Sequence, residues 1–218
     1  MLKEIRLGFK LLRYGYRLKF NVACMLVIFL IGLISEIVTK GTSFIGGAYF
    51  MICSMFAFQF VCSVCLSEYI QSTGVKKKLS VDVPVILHAV LSLVTLVIII
   101  IERSILIQMY PANEAVVVKM FIMVVAFNAI THIYTGICYK YFVAGVFIFI
   151  AMFMGIMMFF NYAMLGPRAT IYITHGMGFY AVIALVVTIV AIAIEYILCS
   201  LLYKKPLSDY AFKGIFKF

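Results

Sequence analysis

Three ionisable residues sit where a sequence this apolar can least accommodate them: His88, His132 and Glu195 all fall inside long hydrophobic runs. A charged or titratable side chain at membrane depth is costly, so it marks either a functional position or a buried pair. Placed at similar depth, these three are expected to line or gate an inward-facing vestibule, or Glu195 to pair with a histidine. A second group, Glu36, Glu102, Glu114 and Lys119, lies near the opposite ends of its runs and reads as a mixed charged outer rim, with Lys119 needing a partner or a snorkelling route. Other chemistry is weaker. Cys62 and Cys65 form a CxxC, but no second cysteine pair relays electrons from it, so small residues in helix packing are the simpler reading. His132 and Cys138 would suit an intramembrane cysteine protease only if they shared a helical face, and residues six apart do not. No GxxxxGK[ST] stretch is present, so any ATP is handled by another chain. Asp82 and Asp209 are the only aspartates, too few for a phosphatidyl-transferase signature. No catalytic, cofactor-binding or metal-ligating residue is assigned, and the chain is not expected to be an enzyme.

The elements that must position these residues are membrane spans. The chain has 218 residues, of which 66% are hydrophobic and 12% charged, which places it in the all-α integral membrane class. Apolar runs suited to spanning helices cover Val22–Val38, Phe44–Leu66, Pro84–Ile101, Ala115–Cys138, Tyr141–Phe160 and Phe179–Leu202. Six spans put both ends on one side. If that side is cytoplasmic, the inner pieces hold fourteen of the eighteen basic residues, leaving Lys40, Arg103, Lys119 and Arg168 outside or near the outer face. The positive-inside rule therefore predicts a multi-pass protein of the cell membrane with both termini cytoplasmic. The net charge of +10 is assigned to that rule and to anionic lipid rather than to nucleic acid. The six cysteines lie in or beside apolar runs, so no disulfide framework is expected.

One transmembrane domain, 1–218, is expected, built from an N-terminal amphipathic helix (1–20), a six-helix membrane unit (22–202) and a basic tail (203–218). The scattered charges of the first twenty residues argue against a cleaved signal peptide. Arg6, Lys10, Arg13 and Arg17 recur at intervals of four, three and four, with Leu2, Ile5, Phe9, Leu12 and Tyr16 on an apolar arc beside them. That pattern predicts an amphipathic helix lying in the inner membrane surface. Tyr139 and Lys140 alone join spans four and five. Between spans five and six, Gly166–Pro167 breaks a half-apolar segment, residues 161 to 178, which predicts a short re-entrant or surface-hugging piece. The longest polar island, residues 65 to 84, falls between spans two and three: Gly74 permits a sharp break, Lys76–Leu79 start a short helix, and Pro84 suits the first turn of the next span.

In this order of parts the chain resembles the permease subunits of ABC-2 type (type V) ABC exporters. The residues that carry the resemblance are the basic amphipathic segment 2–19, the six spans, an inner elbow with Glu68, Thr73-Gly74, Leu79 and Pro84, and the Gly-Pro-broken segment before span six. The resemblance implies a partner ATPase chain that holds ATP and Mg, a second permease subunit, and a coupling elbow made of Gln71, Ser72, Thr73, Gly74, Val75, Lys76, Lys77, Lys78 and Leu79. It further implies export of an amphiphilic cargo such as a peptide, antibiotic or lipid-like molecule. The absence of a large extracellular domain departs from relatives that handle sugar polymers or sterols. Two other readings stay open: the substrate-binding membrane subunit of an energy-coupling-factor vitamin importer, and a non-transporting immunity or scaffold protein.

Overall fold

The structure, a computed structural model, describes residues 2–14, 18–65, 72–162 and 173–205. Its regular elements, among the described residues, are all helical. Helix α1 covers Leu2–Leu12, α2 Leu18–Thr39 and α3 Ile45–Cys65. A π-helical turn, Lys78–Asp82, leads into α4, Val83–Met109, and a 3-10 turn, Pro111–Asn113, leads into α5, Glu114–Cys138. Helix α6 spans Phe142–Phe160 and α7 Met177–Leu202. Six of these helices are long and apolar enough to cross a membrane.

Helix α5 is the hub. It packs against α7, α6 and α3, while α2 lies on α3, and α3 and α7 flank α4. The largest buried cluster draws Phe50 and Met51 from α3, Leu96 and Ile99 from α4, and Phe121 and Val124 from α5. By contrast α2 and α6 expose apolar side chains such as Leu26, Ile34, Phe147 and Met158, as helices with hydrocarbon on their outer faces do. Lipid tails are as apolar as leucine, so close approach of the helices has to come from shape and small residues. At Gly145, where α6 turns back on α5, an added Cβ would lie 3.0 Å from the Cys138 Cα. The Tyr139–Tyr141 hairpin is tight because glycine stands there.

The third span departs from expectation. Lys76–Leu79 do not form a separate short helix; helical backbone runs from Lys76 without interruption to Met109. Pro84 explains the π turn that makes this possible. In a regular α-helix its ring would meet the carbonyl four residues back and its missing N–H would orphan an acceptor. Widening the preceding turn, so that the Val83 N–H bonds to the Lys78 carbonyl, lets the helix pass through the proline. At its other end the helix runs past Ile101, where the span was expected to stop, so Glu102 and Arg103 lie within α4.

Helix α1 also differs. It ends at Leu12, short of residue 19, and Leu18–Phe20 belong to α2. Leu2 and Phe9 of the expected apolar arc are exposed; Leu12 of that arc packs inward, together with Leu7 and Leu11 from outside it, against the cluster of Val61, Val83 and Leu87. Gly8 sets this facing, since the Leu87 side chain comes to 3.3 Å from where its Cβ would stand. Tyr16, Arg17, Cys65's side chain, Glu68, Gln71, the Gly166–Pro167 break and residues 206–218 of the tail lie outside the described residues.

Candidate functional site: a buried His–Glu–His cluster

The helical repeat brings the intramembrane residues together. On α4 the buried face reads Val85, His88, Ser92, Leu96, Ile99, Arg103; on α5 it includes Asn128, Thr131, His132 and Thr135; on α7 it reads Ala184, Thr188, Ala191, Glu195, Cys199. Each set recurs at intervals of three and four, so each is one stripe of its helix. At Gly136 of α5 the Leu198 side chain of α7 comes to 3.0 Å from where a Cβ would stand, and His88, Ser92, Asn128, His132, Thr135, Thr188 and Glu195 of the three stripes meet.

Glu195 is the centre. His88 Nδ1 lies 2.9 Å from Glu195 Oε1 and 3.0 Å from Oε2. His132 Nδ1 lies 2.5 Å from Oε2, and Thr135 Oγ1 donates to Oε1 at 2.9 Å. The two imidazole rings are 4.3 Å apart between centroids. Beyond His132 the polar chain continues: Ser92 Oγ is 3.0 Å from His132 Nε2 and donates to Asn128 Oδ1 at 3.1 Å, and Asn128 Nδ2 donates to Thr188 Oγ1 at 3.2 Å. All seven residues are fully buried. Only the His88 Nε2 atom of this set has no hydrogen-bond partner among the described residues. The ligand atoms of His88, His132 and Glu195 all lie within 4.8 Å of one another, a set able to hold a metal ion.

Of the expected vestibule residues, then, all three converge, and they close on each other. The Glu195 carboxylate is satisfied from within the bundle. Ser92, Asn128, Thr135 and Thr188 were not singled out by the sequence, although their helical spacing from the ionisable residues is visible there. His132 is committed to Glu195 and Ser92, so the protease pairing with Cys138 does not form.

The expected outer rim is not one rim. Arg103 is fully buried and gathers part of it: its guanidinium donates to Glu36 Oε1 at 2.6 Å, to the Ser43 carbonyl at 3.0 Å and to the Gly41 carbonyl, while Glu102 stands 3.4 Å from its Nε. Gly41 has φ +74° and follows Lys40 at φ 52°. Only a glycine fits there, because a Cβ would sit 2.7 Å from the Arg103 guanidinium. Glu114 lies apart, in a cleft with Pro111, Thr174, His175 and Gly176, and Lys119 is half-buried on α5.

At the other end of the bundle the elbow is held in place. Glu4 of α1 bonds Lys78 at 2.9 Å, and hydrogen bonds from the amino terminus and then from Lys78 keep its carboxyl down at about 2. Ser72, Gly74, Val75, Lys77 and Lys78 are exposed, with Thr73, Lys76 and Leu79 half-buried. Lys76 stands 5.7 Å over the Tyr203 ring, and Lys140 donates to the Lys205 carbonyl at 2.9 Å. The elbow, the α5–α6 hairpin and the end of α7 therefore meet in one basic patch. No protein-family model matches this chain, and neither a curated protein nor a solved structure is detectably similar to it.

Proposed function

We propose that the chain is the permease subunit of an ATP-driven exporter of the ABC-2 (type V) kind, moving an amphiphilic cargo with energy from a separate ATPase chain that binds ATP and Mg. The observation that carries this reading is the mechanical continuity of the elbow. Its exposed turn, Ser72–Val75, opens directly into helical backbone that runs from Lys76 through His88 to Arg103. From Lys78 to His88 is ten residues, roughly 15 Å of helix rise. Helix α1 is clamped along the same stretch by Glu4 on Lys78 and by Leu7 and Leu11 against the cluster that holds Val83 and Leu87. A push on the turn would reach the buried cluster through one stiff element, with α1 bracing it against the inner membrane surface.

Further support comes from charge. Lys76, Lys77, Lys78, Lys140, Lys204 and Lys205 gather at one end of the bundle, whereas Lys40, Arg103 and Lys119 at the other end are accompanied by Glu36, Glu102 and Glu114. The basic end is assigned to the cytoplasm, with both termini there and anionic headgroups and the ATPase as its partners. The apolar outer faces of α2 and α6 are assigned to lipid and to a second permease subunit, since one six-helix unit makes half a pathway in that family.

The test is affinity purification from the native membrane. A cytoplasmic ATPase is expected in stoichiometric amount, and Gly74→Pro with Lys77→Glu in the elbow is expected to release it or uncouple its hydrolysis while the chain stays folded. Recovery with a second coupling membrane protein and a bound vitamin, or with no ATPase, would remove the exporter reading.

A further inference from the structure

We infer that His88, His132 and Glu195 form a binding site for a divalent first-row transition-metal ion of the Zn2+ class. Their donor atoms come from α4, α5 and α7, converge within 4.8 Å and are wholly screened from solvent. Two imidazole nitrogens and one carboxylate are the ligand types Zn2+ and its neighbours take, whereas Mg2+ and Ca2+ take oxygen. Nitrogen and oxygen donors now 2.5 to 3.0 Å apart would have to open to about 3.3 Å around an ion held by bonds of about 2.0–2.2 Å.

The outer partners point the same way. With the Asn128 amide nitrogen donating to Thr188, its oxygen takes the single hydroxyl hydrogen of Ser92. Ser92 then offers His132 only a lone pair, so the hydrogen between them belongs to His132 Nε2. His132 Nδ1 and Glu195 Oε2, 2.5 Å apart, are both acceptors in that arrangement and need a cation between them. A proton would serve that one pair; a metal ion serves His88, His132 and Glu195 together. Ser92 behind the imidazole and Thr135 on the carboxylate occupy the places from which outer-shell groups fix ligand orientation. One carboxylate leaves a divalent ion with net positive charge in an apolar bundle. This favours ions that bond imidazole strongly over weaker-binding Mn2+.

Such an ion would tie together the helix that begins at the elbow and the two helices packed beside it. The inference does not depend on the exporter reading, since its test uses binding alone. The full chain, purified in detergent and stripped with a chelator, is loaded with Co2+ as the spectroscopic stand-in for Zn2+. Expected are one equivalent per chain, visible d–d bands of a low-coordinate ion, displacement by Zn2+, and a raised unfolding temperature. His175→Ala, which removes an exposed histidine outside the cluster, should leave the bands intact, while His132→Ala and Glu195→Gln should bind less than a tenth as much. Absence of bands in the wild type shows a cluster that holds protons only, and overturns the inference without reference to any variant. Loss of the bands in His175→Ala, the signature of an adventitious surface site, overturns it equally.

Discussion

Glu36, Glu102 and Arg103 are three charges in one small space, and their energetics are asymmetric. A buried ion pair contributes little net stability relative to an apolar pair, but removing one partner leaves an uncompensated charge. Arg103→Met should therefore destabilise the protein by about 3–5 kcal/mol, read from denaturant unfolding in mixed micelles, and adding Glu36→Gln should recover part of the loss. A double variant no better than the single would show that Arg103 acts through the Gly41 and Ser43 carbonyls alone. Lys140 makes a second prediction, this time in pH. Burial, and next the charge of Lys76, push its ammonium down to about 8 from the ordinary 10.5. The unfolded chain then holds more protons than the folded one between those two values, so stability rises as pH climbs through that window. Below pH 8 the cost of the buried charge is fully present. Lys140→Met should remove the rise and raise stability at neutral pH, and an unchanged pH profile would refute the assignment. At this scale the sequence was informative about which residues are expensive and silent about who answers them. His88, His132 and Glu195 stand out because charge in an apolar run is conspicuous, whereas Ser92, Thr135 and Thr188 blend into it. The third span was expected to end at Ile101 yet runs on to Met109: the adjacent charges Glu102 and Arg103 look like the end of a span when the partner of one of them lies on another helix.

Helix identity was legible and helix extent was not. The period and length of the apolar runs specify the spans, but Pro84 suggested a boundary that a single widened turn removes, and α1 turns a face inward that its own charge pattern did not select. Both outcomes come from contacts between elements, which local periodicity does not contain. Glycine spacing carries part of that missing information and supplies a prediction at the same scale. An added Cβ at Gly145 meets Cys138 backbone at 3.0 Å, so α6 would have to lift off the α5 end; at Gly155, on the same helix, it meets nothing within 4 Å. Gly145→Ala should lower stability by about 1–3 kcal/mol through overpacking. Gly155→Ala should raise it by about 0.5–1 kcal/mol, because a helix interior favours alanine. Thermal unfolding of the two variants side by side decides the matter, and equal shifts would mean that the hairpin does not rely on close approach.

For the molecule as a whole, the separation of a basic end from a mixed-charge end is the feature on which the proposed orientation and partner rest. It is physical because a lysine cluster crosses a bilayer at high cost and is drawn to the anionic cytoplasmic leaflet. The two ends also differ in build: one offers an exposed turn at Ser72–Val75 that leads into a continuous helix, the other a turn sealed by Arg103 against the Gly41 and Ser43 carbonyls. On the proposed exporter reading, the partner pushes at the first end, where one continuous helix leads to His88. Single cysteines at Val75 in the elbow and at Ala112 beside the opposite end, both exposed, separate the two orientations. A membrane-impermeant maleimide added to intact cells should label Ala112→Cys and spare Val75→Cys, and the pattern should reverse in inverted vesicles. Among the described residues, the native cysteines Cys24, Cys53, Cys62, Cys138 and Cys199 are buried or half-buried, and both variants carry Cys65→Ser to keep the background low. Labelling of Val75→Cys from outside intact cells would place the elbow beyond the reach of any nucleotide-hydrolysing partner, and the exporter reading would fall with the orientation it requires.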